Sequence, residues 1–103
     1  MPRVAVEFDP AAAEELAAAE DWYRKQSDSA AAAFIAELDR AIGSIGDAPE
    51  RWSEHTHGTR RFVMRRFPFS IIYRVGHSTI TIFAVAHARR LPGYWEPHTT
   101  PQV

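Results

Sequence analysis

The chain has 103 residues, 46% of them hydrophobic, and no cysteine, so it is long enough for one packed domain and has neither disulfides nor thiolate chemistry. Residues 1–58 hold five Lys or Arg against twelve Asp or Glu, whereas residues 59–103 hold seven Arg against one Glu. No apolar run is long enough to span a membrane, and the N-terminus lacks the apolar core of a signal peptide, so we expect a cytoplasmic protein.

The first half of the chain predicts one strand and two helices. Residues 3–8 alternate and are rich in β-branched side chains, which indicates a strand. Asp9 is placed to cap a helix that has Pro10 in its first turn and runs to about residue 25. Ser27 or Asp28 can cap a second helix. The apolar stripe of that second helix consists of Phe34, Ile35, Leu38, Ile42 and Ile45.

The second half changes to the two-residue period that is typical of strands. Residues 60–67, 69–75 and 79–86 predict three strands, with Pro68 between the first two and a Gly-His-Ser turn before the third. The last strand is apolar on both faces, which favours a central position in a sheet. We therefore expect the N-terminal strand to pair beside it.

Together these elements predict an α+β fold of order β-α-α-β-β-β. An antiparallel two-helix hairpin would pack on one face of a mostly antiparallel four-stranded sheet, because both helices and the sheet have an apolar face to bury. Residues 1–96 would make the single domain, and residues 97–103 are expected to be a flexible tail.

Arginines concentrate on two neighbouring strands of this predicted sheet. Arg61, Arg65, Arg66 and Arg74 lie there together with Arg60. The planar guanidinium group suits bidentate contacts to phosphate or carboxylate, so these residues predict a surface for an anionic partner. The alternative is that the charges only keep edge strands from aggregating, or that acidic helices neutralise a basic sheet.

A second group of chemically capable residues follows the last predicted strand. His87, Arg89 and Arg90 come first, and Tyr94 and Trp95 follow soon after. A histidine that accepts a proton, with arginines to stabilise a developing negative phosphate, is the minimum equipment for general acid–base cleavage of RNA. The aromatic rings could stack on bases, although for Trp95 the favoured alternative is that it folds back and closes the core.

A metal site has weak support. Glu54, His55 and His57 lie close together in a loop, but no other clear ligand accompanies them. A solvated loop is the better interpretation, and we expect neither a metal nor a cofactor.

Two segments in this order of elements carry a family resemblance. Residues 60–75, RRFVMRRFPFSIIYRV, and residues 84–95, AVAHARRLPGYW, resemble the RelE/ParE superfamily of type II toxin–antitoxin toxins, most closely the branch often labelled plasmid stabilisation proteins. The likeness covers about residues 4–95. It implies a bacterial toxin that arrests growth and is neutralised by a cognate antitoxin, usually encoded beside it, in a hetero-oligomer.

The resemblance implies one of two routes to growth arrest. RelE-type members cleave mRNA in the ribosomal A site without a metal, which would make His87, Arg89, Arg90 and Tyr94 catalytic in an endoribonuclease. ParE-type members bind and poison DNA gyrase. Ser70 stands where ribosome-dependent members often have a phosphate-binding arginine, and the net charge of −1 weakens attraction to phosphate.

The sequence thus favours gyrase as the target. The alternatives are a ribosome-dependent mRNA endonuclease and a non-toxic domain that only binds the antitoxin, so whether the chain is an enzyme stays open. On either toxic route, the expected target-binding residues are Arg61, Arg65, Arg66, Arg74, Arg89, Arg90 and Trp95.

Overall fold

A computed structural model of the protein describes residues 5–88. In this part of the chain the helices and strands are β1 (Ala5–Phe8), α1 (Pro10–Gln26), α2 (Asp28–Asp47), β2 (Ser53–Glu54), β3 (Arg60–Val63), β4 (Phe69–Val75) and β5 (Thr79–His87). Single 3₁₀ turns at Pro49–Arg51 and Thr56–Gly58 flank β2. Within the described residues, no helix is long and apolar enough to cross a membrane.

The two helices begin at the capping residues that the sequence predicts. The Asp9 side chain accepts a hydrogen bond from the backbone N–H of Ala11 at 3.0 Å, and Pro10 opens α1. Ser27 ends α1 and starts α2: its N–H donates to the carbonyl of Tyr23, and its hydroxyl accepts from the N–H of Ala30 at 3.0 Å. Because one residue joins the helices, they fold back and pack on each other as a hairpin.

The sheet has the strand order β1-β5-β4-β3-β2. β1 pairs parallel to β5, as the apolar character of the last strand predicts, and the other neighbouring strands pair antiparallel. The α+β class and the helical hairpin on a mostly antiparallel sheet are confirmed. The sheet has five strands rather than the expected four, because two residues of β2 pair with Arg60 and Arg61 at the outer edge of β3.

The core lies between the helices and one face of the sheet, around the ring of Phe34. This ring is fully buried and stacks on Tyr23 with 5.1 Å between ring centroids. Phe67 and Phe69 approach it at 5.4 Å each in tilted or edge-on geometry. Contacts of this kind add about 0.5–1.5 kcal/mol per pair to the burial of apolar area, so the cluster fixes the hairpin on the sheet.

Two side chains of the sheet, one buried and one half-buried, form hydrogen bonds with the segment that follows α2. The hydroxyl of Tyr73 on β4 donates to the carbonyl of Pro49. The guanidinium group of Arg60 donates to the carbonyls of Glu50 at 3.1 Å and Trp52 at 2.8 Å. Burial raises the pKa of Tyr73 to about 12, with Arg60 acting in the opposite direction.

One predicted strand is shorter than expected. The pattern of residues 60–67 predicts a strand over the whole segment, but β3 ends at Val63 and the following residues bend. Met64 is buried and pairs through its N–H with the carbonyl of Phe69, and the carboxylate of Glu37 then binds the backbone N–H of Arg66 at 2.9 Å. The prediction that Arg65 and Arg66 lie on a strand is therefore wrong.

Candidate target-binding surface

Two of the predicted target-binding arginines lie on the outer face of the sheet, which we define as the face turned away from the helices. Ile71 and Tyr73 of β4 belong to the core beneath the helices, so their neighbours in the strand point to the outer face. Arg74 is one of these neighbours. Arg61 pairs with Ile72, whose side chain lies in a separate buried cluster, and therefore faces outward as well.

Arg61 lies next to Ser70, the residue that departs from the nuclease pattern. Its Nε approaches the Ser70 hydroxyl oxygen at 3.4 Å, which is a long and exposed hydrogen bond. Because Arg61 is exposed and so weakly held, its guanidinium group is available to a carboxylate or phosphate of a partner.

Arg74 is held more firmly. Its guanidinium group lies over the ring of Phe83, 5.2 Å from the ring centroid, and donates to the carbonyl of His57 at 2.6 Å. Phe83 is the extra residue of a β-bulge, since Ile72 pairs with Ala84 whereas the next residue of β4 pairs with Ile82. The bulge and the left-handed backbone of His57 (φ 57°) together orient this arginine.

Arg65 and Arg66 lie elsewhere. They contribute to a cleft of about 390 Å³ between α2 and β3, which we call the α2–β3 cleft. Its walls include Arg40, Ser44, Trp52, Phe62, Arg65 and Arg66. The four predicted arginines therefore form two separate groups, because the bend after Val63 turns Arg65 and Arg66 toward α2.

His87 ends β5 on the helix side of the sheet. It pairs with Phe69, and its ring meets the Phe69 ring edge-on with 5.1 Å between centroids. It lines a cavity of about 240 Å³ together with Glu15 and Val85. The Glu15 carboxylate accepts the N–H of Val85 at 3.0 Å, where β1 no longer borders β5. His87 thus lies on the opposite face from Arg61.

The remaining predicted site residues cannot be placed in this geometry. Arg89, Arg90, Tyr94 and Trp95 lie outside the described residues, as does the expected tail at 97–103. Their roles as catalytic or target-binding residues stay predictions. Among residues 5–88, no group of three or more His, Asp or Glu side chains could hold a metal ion.

The sequence patterns missed three residues of the α2–β3 cleft. Arg40 and Glu37 lie on α2, where a charged residue is ordinarily a solvated one, and only the tertiary fold brings them to Arg66. Trp52 follows the helices in a segment without regular periodicity. Its indole N–H is buried and has no acceptor in the part of the chain that the structure describes. The one sequence feature that points to Trp52 is that it is a large aromatic residue alone in a polar loop.

The family follows from comparison with known proteins. The family model for the ParE toxin of the type II toxin–antitoxin system, parDE, matches residues 6–92. The chain belongs to the ParE toxin family. This membership confirms the expected RelE/ParE superfamily toxin of a toxin–antitoxin module and implies an antitoxin partner.

A solved structure supports the same fold. The protein is similar to a chain titled "Chromosomal ParDE TA system from P. aeruginosa", with a TM-score of 0.71 and 19% sequence identity. The match covers 82% of this chain and 96% of that one. The search of curated proteins finds no match. At this identity the structural likeness shows a ParE-like fold, and the family model carries the assignment.

Proposed function

We propose that this ParE-family toxin is held inactive by a cognate antitoxin and arrests growth by binding DNA gyrase. The observation that carries the proposal is the family-model match over residues 6–92, which begins within β1 and includes the helical hairpin and β2 to β5. The outer face of the sheet is the proposed target-binding surface, with Arg61 and Arg74 as its described cations.

Arg61 and Arg74 cannot assist RNA cleavage at His87, which supports a binding role for these two outer-face arginines. A general base and the cations that stabilise a phosphate must both reach the same reacting group, within hydrogen-bond distance of it. In the described chain, His87 packs on Phe69 beneath α1, whereas Arg61 and Arg74 lie on the other side of the sheet. Ser70 lies beside Arg61 without adding a charge.

The test is growth arrest with and without the antitoxin. Wild-type protein is expressed from a tightly controlled promoter, alone or with the product of the adjacent reading frame, and viable cells are counted. We expect arrest in the first case and normal growth in the second. Harmless expression of a folded wild-type chain that also fails to bind the adjacent gene product would contradict the proposal.

A charge reversal separates target binding from neutralisation. Arg61→Glu should abolish arrest, because Arg61 is exposed on the proposed target-binding face, and antitoxin binding by the same variant is measured beside it. Lys25→Glu is the matched control: it makes the same charge change on α1, at an ion pair with Asp21 whose side chains are 74% and 64% exposed. If Arg61→Glu arrests growth as strongly as the control does, the outer face of the sheet is not the target-binding surface.

A further inference from the structure

The α2–β3 cleft concentrates positive charge that the chain itself does not neutralise. Arg40, Arg65 and Arg66 all line it, and within residues 5–88 none of their guanidinium groups has a hydrogen bond or an ion pair. By contrast, the guanidinium groups of Arg60 and Arg74 bind backbone carbonyls. The excess charge makes the cleft complementary to an anionic ligand.

The one acidic residue of the described chain that lines the cleft, Glu37, offsets only part of the charge of its three arginines. Glu37 is 8% exposed, and one of its carboxylate oxygens accepts the backbone N–H of Arg66 at 2.9 Å. Its contact therefore fixes the bend after β3 rather than an arginine side chain. That bend in turn holds Arg65 and Arg66 opposite Arg40.

The floor and rim of the cleft are apolar. Phe62 and Trp52 pack edge-on with 4.5 Å between ring centroids, and Val63 at the rim is 58% exposed. β2 pairs only with Arg60 and Arg61, so no described strand borders Phe62 and Val63 on that side. An open strand edge beside an apolar floor suits an extended peptide, which can add main-chain hydrogen bonds and seat a side chain.

The packing of Trp52 favours a peptide over a nucleic acid. Single-stranded nucleic acids bind by stacking bases on free aromatic faces. The guanidinium carbon of Arg51 lies over the Trp52 ring, 5.7 Å from its centroid, and Phe62 packs against the same ring. Because these neighbours occupy the ring, the cleft offers charge and an apolar floor rather than a stacking platform.

We infer that the α2–β3 cleft binds an acidic segment of the cognate antitoxin. Carboxylates of that segment contact Arg40, Arg65 and Arg66, and an apolar side chain between them lies on Phe62. The inference rests on the proposed function, since it assigns a docking site to the antitoxin that the proposal requires. Charge-assisted bidentate contacts would fix the register of the segment, and the apolar anchor would exclude water from them.

The test measures the affinity of the adjacent gene product for purified toxin variants by calorimetry. Arg40→Glu/Arg65→Glu should weaken binding by about 10²-fold or more, because two contacts become repulsive. Arg24→Glu/Lys25→Glu makes the same charge change on α1 and should bind within about threefold of wild type. Ser44→Trp, at an exposed position on the cleft wall, should weaken binding without any charge change by filling the cleft.

The outcomes separate the two proposals. If wild-type protein does not bind the adjacent gene product, the proposed function fails. If wild type binds and the cleft variants, with unchanged circular dichroism and urea midpoint, bind equally well, the cleft is not the docking site. The inference would also be overturned if the cleft variants kept their affinity for the antitoxin but lost binding to a single-stranded RNA oligonucleotide that the wild type binds. If the Arg40→Glu/Arg65→Glu variant does not fold, the affinity of the Ser44→Trp variant for the adjacent gene product tests the inference.

Discussion

Replacing Tyr73 with phenylalanine removes one hydroxyl group that the fold encloses completely. The residue has no exposed surface, and its hydroxyl donates to the carbonyl of Pro49. Burial raises the pKa of Tyr73 from 10.0 to about 12, against the smaller opposing effect of Arg60. The folded state therefore favours the neutral phenol, and phenylalanine cannot ionise at all.

The magnitude has two parts of opposite sign. Near pH 7, Tyr73→Phe should lower the free energy of unfolding by about 0.5–1.5 kcal/mol, the usual net contribution of one hydrogen bond. Between the unfolded pKa of 10.0 and the folded pKa of about 12, the unfolded wild type binds fewer protons than the folded one. Wild-type stability therefore falls as pH rises, by about 1.4 kcal/mol at pH ~11 and up to about 3 kcal/mol above the folded pKa.

The two stability curves should consequently cross between about pH 10 and pH 11. Urea unfolding followed by far-ultraviolet circular dichroism, on both proteins from neutral pH upward, measures the crossing. All other ionisable groups are the same in both proteins, so the difference between the curves isolates Tyr73. A wild-type advantage that stays constant or grows above pH ~10 would refute the link between burial of this hydroxyl and its pKa.

Three further substitutions test the aromatic core, the N-terminal cap of α1 and the bend after β3. Phe34→Ala should cost about 3–5 kcal/mol in the free energy of unfolding, since the ring is fully buried among three aromatic side chains; a loss below about 1 kcal/mol would contradict the aromatic core. Asp9→Ala should cost about 1 kcal/mol by urea unfolding and Asp9→Asn much less, because asparagine keeps the capping oxygen; equal losses would argue against the cap. Glu37→Ala should cost about 1–3 kcal/mol and Glu37→Gln clearly less, as the amide oxygen can still accept the N–H of Arg66; no difference between the two would remove the carboxylate from the bend.

Local signals predicted the helix caps and most strand boundaries. Asp9 and Ser27 are capping residues whose hydrogen bonds span two or three residues, so the local sequence is enough to predict their role. β4 begins and ends at the predicted residues, because its mostly apolar run is bounded by Pro68 and Gly76. The pairing of β1 with β5 was also predictable, since a strand that is apolar on both faces needs neighbours on both sides.

Contacts between distant residues account for what the sequence did not show. The end of β3 depends on Glu37, which lies 29 residues before the N–H group that it binds. Strand β2 is two residues long, which is too short to show the alternating apolar pattern of a strand. The same bend divides Arg65 and Arg66 from Arg61, so residues of one type with one apparent periodicity form two surfaces.

The most direct test of the account is DNA supercoiling by purified gyrase in the presence of the purified toxin. Wild-type protein should inhibit supercoiling of relaxed plasmid, Arg61→Glu should restore it, and the antitoxin should relieve the inhibition. In parallel, the toxin is added to translating ribosomes without metal beyond that of the translation buffer. Unchanged supercoiling, together with mRNA cleavage that falls about 10²–10⁴-fold in His87→Ala, would contradict gyrase binding and establish the chain as an endoribonuclease.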